Sequence, residues 1–127
     1  MPSLMRSYKV QEKAALVGFD WPDVEGAITK VEEEFSELTE VYKTSNNGKI
    51  EEEIGDLIFA VVNVARFLNV QPELALTKTI EKFIDRFNYI EEMAQKNGKK
   101  LENMTLEEMD SLWNKAKTHN FSENDKD

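Results

Sequence analysis

The chain is predicted to be all-α, an antiparallel bundle of helices. Three features carry that prediction. Apolar residues recur at spacings of three and four over most of the length. No useful run alternates apolar and polar residues. The breaks between periodic segments are short and marked by glycine, proline or asparagine. With 127 residues, three prolines and five glycines, there is room for one hydrophobic core built on long uninterrupted helices. We read residues 1–121 as a single domain and 122–127 as a polar tail.

Five helices follow in order. The first covers residues 7–17 and stops at Gly18. Phe19-Asp20-Trp21-Pro22 forms a turn, with Pro22 suited to the first turn of the next helix. The second helix covers 23–43, where Val24, Ile28, Val31, Phe35, Leu38 and Tyr42 make one stripe. Ser45-Asn46-Asn47-Gly48 is a loop. The third helix, 50–68, is apolar on most of its circumference beyond Gly55, so it is either central to the domain or part of an oligomer interface. Pro72 opens the fourth, 72–96, which carries Leu76, Ile80, Phe83, Phe87, Ile90 and Ala94 and ends at Asn97-Gly98. Thr105-Leu106-Glu107-Glu108 matches a capping box and starts the fifth, with Leu106, Met109, Trp113 and Ala116 on its apolar side. No internal repeat stands out.

The composition narrows the function. A charged share of 32% against a hydrophobic share of 40% is the balance of a folded soluble domain. Cysteine is absent, which excludes disulfides and thiolate metal sites. The first residues lack the apolar run of a signal peptide, and the longest apolar stretch, 57–68, is broken by Asn63 and Arg66. We therefore expect a cytoplasmic protein with no membrane contact. A net charge of −9 argues against nucleic acid as a partner. It also means that a polyphosphate ligand would need divalent cations between its oxygens and the protein's carboxylates.

Two acidic pairs offer such carboxylates. Glu34 and Glu37 are three residues apart on the second helix, and Glu53 and Asp56 are three apart on the third. Glu34 lies beside the stripe residues Val31 and Leu38, so part of its pair faces inward. Asp56 sits at the edge of an apolar stretch and shares a face with Asn63, where an unpartnered carboxylate is costly. Helices joined by a short turn run antiparallel, and a turn near Asn46-Asn47-Gly48 sets both pairs at similar heights. Four carboxylates then converge and repel one another unless a cation joins them. Hard oxygen donors without His or Cys select magnesium or manganese. Spacing alone leaves open that these acids belong to a solvated face, together with Glu32, Glu33, Glu40, Glu51 and Glu52.

A cationic pair, Lys82 and Arg86, shares a face of the fourth helix. It either grips phosphate oxygens or pairs with Glu81, Asp85 or Glu91. Trp113 and Lys117 are also four apart. Trp113 either stacks on a base while Lys117 reaches a phosphate, or closes the core. The lone histidine, His119, is assigned no role, which argues against a di-iron bundle. A phosphate-binding glycine loop, a nucleophile elbow and a zinc spacing are all missing.

The run Lys30-Val31-Glu32-Glu33-Glu34-Phe35-Ser36-Glu37, followed by Glu51-Glu52-Glu53-Ile54-Gly55-Asp56-Leu57, resembles the MazG family signature of E-E-x-x-E and then E-x-x-D. Val17-Gly18-Phe19-Asp20-Trp21, Asn63-Val64-Ala65-Arg66, Glu81-Lys82-Phe83-Ile84-Asp85-Arg86-Phe87 and the Trp113–Lys117 pair resemble its flanking segments, so the likeness runs from Leu4 to about Lys117. It is nearest to the C-terminal, catalytic module of the two-module MazG proteins. The resemblance implies an all-α catalytic core that forms a homodimer or higher homo-oligomer and hydrolyses nucleoside triphosphates to monophosphate and pyrophosphate. By it, Glu34, Glu37, Glu53 and Asp56 bind Mg²⁺, with Mn²⁺ as a substitute. Lys30, Glu33, Lys49, Glu52, Lys82, Arg86, Trp113 and Lys117 then line the nucleotide site. Two other readings stand beside it: a non-enzymatic acidic helical interaction module, and a hydrolase of another nucleotide phosphoanhydride.

Overall fold

Short polar side chains set several helix starts. In the computed structural model, which describes residues 1–119, α2 (Val24–Val41) begins where the Asp23 carboxylate accepts from the Glu25 N–H at 3.0 Å. α3 (Asn47–Phe67) begins where Asn46 Oδ1 accepts from the Lys49 N–H, also at 3.0 Å. α5 (Leu106–Thr118) starts on a reciprocal box: Glu108 N–H donates to Thr105 Oγ1 and Thr105 N–H to Glu108 Oε1, both at 3.1 Å.

Three helix ends share one motif. After α1 (Ser3–Leu16), Phe19 N–H reaches back to Ala14 O and Gly18 N–H to Ala15 O; Gly18 has φ +92. Val70 and Asn69 repeat this pattern on Ala65 and Arg66 after α3, with Asn69 at φ 58. Lys99 and Gly98 repeat it on Ala94 and Gln95 after α4 (Pro72–Lys96), with Gly98 at φ +65. This is the Schellman closure, whose left-handed residue favours glycine or asparagine. A single 3₁₀ turn, Leu101–Asn103, completes the elements. No strand occurs among the described residues, as the all-α prediction requires. The tail at 122–127 lies outside them.

Several boundaries differ from the sequence expectation. α1 begins at Ser3 rather than at 7, because Pro2 holds φ at −58 and its carbonyl accepts from the Arg6 N–H at 2.9 Å. Pro22 lies outside α2, since Asp23 takes the cap. Asn47 and Gly48, expected in a loop, form the first turn of α3 because the cap is Asn46. The 3₁₀ turn was not anticipated.

Contacts group the chain into two compact units, Met1–Ala75 and a second beginning at Leu76. In the first, α3 is central and packs against both α1 and α2. The short connection from 42 to 46 makes α2 and α3 antiparallel. Ala27 and Glu34, seven residues apart, are the buried residues of α2; Glu53, Ala60 and Val62 are those of α3. Of the apolar stripe expected for α2, Val24, Val31 and Leu38 are only half-buried, and Ile28, Phe35 and Tyr42 are exposed. An alanine and a glutamate hold the fully buried positions, so the stripe runs along their shoulder. Trp21 lies on Gly26, where an added Cβ would fall 2.9 Å from the indole. In the second unit, Ile90, Ala94 and Ala116 are buried, and Phe83 meets Trp113 at 5.3 Å between ring centroids. Lys99 Nζ binds Glu108 Oε2 at 2.7 Å. No described helix is long and apolar enough to cross a membrane.

Candidate functional site

The buried acids of α2 and α3 meet across their seam. Glu34 is 5% exposed and Glu53 3%, and Glu37 joins them from the next turn of α2. One carboxylate oxygen from each of the three lies within 4.8 Å of the others, spacing suited to a shared cation. Each buried acid has one lysine partner from its own helix. Lys30 Nζ is 3.0 Å from Glu34 Oε1, and Lys49 Nζ is 3.1 Å from Glu53 Oε1. The second oxygens, Oε2 of Glu34 and Oε2 of Glu53, are buried without any hydrogen-bond donor. Buried carboxylate oxygens are expensive to leave bare, so these two are what a cation would occupy. The donor set is all oxygen, which fits a hard divalent ion.

Electrostatics follow from that crowding. The Glu37 carboxyl is pushed above its ordinary value, first by its hydrogen-bonding approach to Glu53 and then by the charge of Glu34. Lys30 and Lys49 are pushed up by their bonds to the acids, Lys30 chiefly by Glu34 and Lys49 chiefly by Glu52 and then Glu53. Glu33 and Glu52 complete these arms at 3.7 Å from Lys30 and 2.9 Å from Lys49. Lys30, Glu33, Lys49 and Glu52 are thereby tied to the acid cluster.

Asp56 does not belong to the close trio. It lines an adjoining cavity of about 600 Å³ with Lys30 and Glu34, and its carboxyl is raised first by partial desolvation and then by the charges of Glu34 and Glu53. The reason lies in a repetition that the sequence reading passed over. Lys30-Val31-Glu32-Glu33-Glu34-Phe35-Ser36-Glu37-Leu38 aligns with Lys49-Ile50-Glu51-Glu52-Glu53-Ile54-Gly55-Asp56-Leu57. Glu37 and Asp56 are equivalent in this alignment. The extra methylene lets Glu37 reach Glu53, whereas the shorter Asp56 stays beside the cavity.

Neither the placement of Gln11 nor the pairing of Asp20 with Arg66 is legible in the sequence, although the segments that hold Asp20, Asn63 and Arg66 carry part of the family resemblance. Gln11, the only buried residue of α1, donates from Nε2 to Phe59 O of α3 at 2.9 Å. Asp20 Oδ1 accepts from Trp21 N–H at 2.9 Å and from Arg66 Nη2 at 2.5 Å, and Arg66 Nε donates to Asn63 Oδ1 at 3.0 Å. Asp20 and Arg66 are 46 positions apart, too far for local spacing to reveal.

The remaining predicted site residues lie in the second unit. Lys82 and Arg86 are on α4, Trp113 and Lys117 on α5. The Arg86 guanidinium stands over the Trp113 ring at 5.3 Å, and Phe83 packs on the same ring, so Trp113 is half-buried against α4.

The chain is 47% identical over 117 residues to the nucleoside triphosphate pyrophosphohydrolase/pyrophosphatase MazG of Thermotoga maritima, covering 92% of this chain and 45% of that protein. It is 40% identical over 119 residues to the nucleoside triphosphate pyrophosphohydrolase of Escherichia coli K12, with the same coverage. It is 58% identical over 65 residues to the uncharacterized protein YabN of Bacillus subtilis, covering 51% of this chain and 13% of that one. The chain thus spans about half the length of the two pyrophosphohydrolases. Residues 23–91, which hold the acid cluster, both lysine arms and most of α4, match the MazG nucleotide pyrophosphohydrolase domain, and the chain belongs to that family.

Proposed function

We propose that the chain hydrolyses nucleoside triphosphates, ribo or deoxy, to monophosphate and pyrophosphate, using Mg²⁺ held by Glu34, Glu37, Glu53 and Asp56. The observation that carries this reading is the pair of buried, donorless oxygens, Oε2 of Glu34 and Glu53, within a three-carboxylate cluster. Family membership supplies the reaction class, and the names of the two pyrophosphohydrolases agree with it. Mn²⁺ would serve the same oxygen ligands. When bound, the ion supplies charge neutralisation at the phosphates and acidifies water.

The chain's own residues do the rest. Glu34 and Glu53 fix the position of the cluster from within α2 and α3. Lys30 and Lys49, with Glu33 and Glu52, orient those acids and border the phosphates. Lys82 and Arg86 are assigned to charge on the departing pyrophosphate, and Trp113 and Lys117 to the nucleotide. We assign no partner beyond substrate and a second copy of the chain. The exposed Ile54, Ile58 and Val61 on one face of α3 support homodimers or higher homo-oligomers.

Assaying pyrophosphate release from a nucleotide panel in Mg²⁺ tests the reading, with Glu53→Gln expected to abolish turnover. Full turnover by that variant, or release of orthophosphate by the wild type, would overturn it.

A further inference from the structure

The cavity beside Lys30, Glu34 and Asp56 is of a size that takes a small molecule. Two amides line it, and both have their orientation fixed by chemistry. Gln11 is 7% exposed, and its Nε2 is spent on the carbonyl of Phe59, which can only accept. That leaves Gln11 Oε1, which is buried and has no donor. Asn63 Oδ1 accepts from the Arg66 guanidinium, which can only donate, so its NH₂ remains as a donor. Phe19, Trp21 and Phe59 add aromatic surface. A buried acceptor without a donor is rare in folded proteins and points to a missing partner.

We propose that Gln11 is a specificity-determining residue: its Oε1 accepts an N–H from the base of the bound nucleotide, while the Asn63 amide donates to the neighbouring acceptor on the same base edge. This rests on the nucleoside triphosphate reading above. The ligand chemistry is an amide-like edge, an N–H beside an acceptor, which nucleobases carry. The acid cluster next to the cavity gives the phosphates and the base adjoining places in one unit. A site built to satisfy a buried polar atom discriminates strongly against ligands that lack the matching group.

The test is calorimetric titration in Mg²⁺ with two probes: the non-hydrolysable nucleoside triphosphate that the wild type binds most tightly, and ribose 5-triphosphate, which has no base. The wild type should prefer the nucleotide by at least about tenfold, and Gln11→Leu should cut that preference by about tenfold, the scale of one buried hydrogen bond. With intact substrate, Gln11→Leu should raise KM more than it lowers kcat. A ligand-side measurement needs no altered protein: full N-methylation of the base should weaken wild-type binding by about tenfold. A folded Gln11→Leu with unchanged preference overturns the proposal, as does equal wild-type affinity for the methylated and parent analogues. Pyrophosphate release is scored separately. No release with the Gln11-dependent preference intact overturns the hydrolase reading alone, and release without any base preference overturns the Gln11 assignment alone.

Discussion

Replacing Glu53 by glutamine should make the metal-free protein more stable, against the usual direction for a buried substitution. Glu34 and Glu53 are both buried, with carboxylate oxygens within 4.8 Å. At an effective dielectric of about 20, two unit charges at that separation repel by about 3 kcal/mol. Glutamine removes the repulsion at nearly constant volume, and its NH₂ supplies a donor for the bare Oε2 of Glu34. Repulsion with Glu37 is relieved in the same direction. Against this stands the lost ion pair to Lys49, which is half-exposed and contributes little. Lys30 already offsets part of the charge on Glu34. The net gain should be about 1–2 kcal/mol, or a Tm higher by about 4–8 °C for a chain of this size. Scanning calorimetry in EDTA and in Mg²⁺ reads both halves of the argument, with Glu32→Gln, an exposed neighbour, as control. In EDTA the Glu53→Gln protein should melt above the wild type, and adding Mg²⁺ should raise the wild type while leaving the variant nearly unmoved. A lower Tm for Glu53→Gln in EDTA would refute the claim that the acids sit together under mutual repulsion.

Four other outcomes follow from the same structure. Thr105→Ala should lose about 1 kcal/mol in urea unfolding through loss of its cap on α5. Glu108 is held below its ordinary value of 4.5, first by Lys99 and then by the Thr105 N–H. Its contribution is therefore present above the unfolded carboxylate value and lost as pH falls through the lower folded one, so Glu108→Gln should flatten the stability–pH curve in that acidic window and Glu107→Gln should not. Arg66→Lys cannot keep both the Asp20 and Asn63 contacts, and should destabilise the first unit by about 1–3 kcal/mol, read by chemical denaturation. Gly26→Ala would place a methyl 2.9 Å from the Trp21 indole. Overpacking outweighs the gain in helix propensity, and net destabilisation of about 1 kcal/mol with red-shifted Trp21 emission in a Trp113→Phe background is expected.

Local chemistry made much of this fold readable. Pro72, Gly98 and the Thr105–Glu108 box set their boundaries through backbone rules that act within a few residues, and α4 and the start of α5 fall where expected. Asn46 and Asn47 show the limit of such reading: both favour loops, and only the three-dimensional bond to Lys49 decides which is the cap. In the candidate site, helical spacing brought Glu34, Glu37 and Glu53 to one seam without any knowledge of tertiary structure. The different position of Asp56 depends on side-chain length across that seam, which spacing does not carry. Gln11's bond and the Asp20–Arg66 pairing were invisible for a plainer reason. Their partners lie on other elements, and nothing near Gln11 in sequence distinguishes it from a surface glutamine.

The matching segments Lys30–Leu38 and Lys49–Leu57 give the two helices almost interchangeable roles, as two hands closing on one object. Changes at Glu34 and Glu53 should therefore produce twin phenotypes, and so should changes at Lys30 and Lys49. Among the charged residues the likeness fails only at the fingertips, where one hand ends in a glutamate and the other in an aspartate. Swapping those two, Glu37→Asp together with Asp56→Glu, would hand the longer reach to α3 and turn the cluster around without altering its total charge.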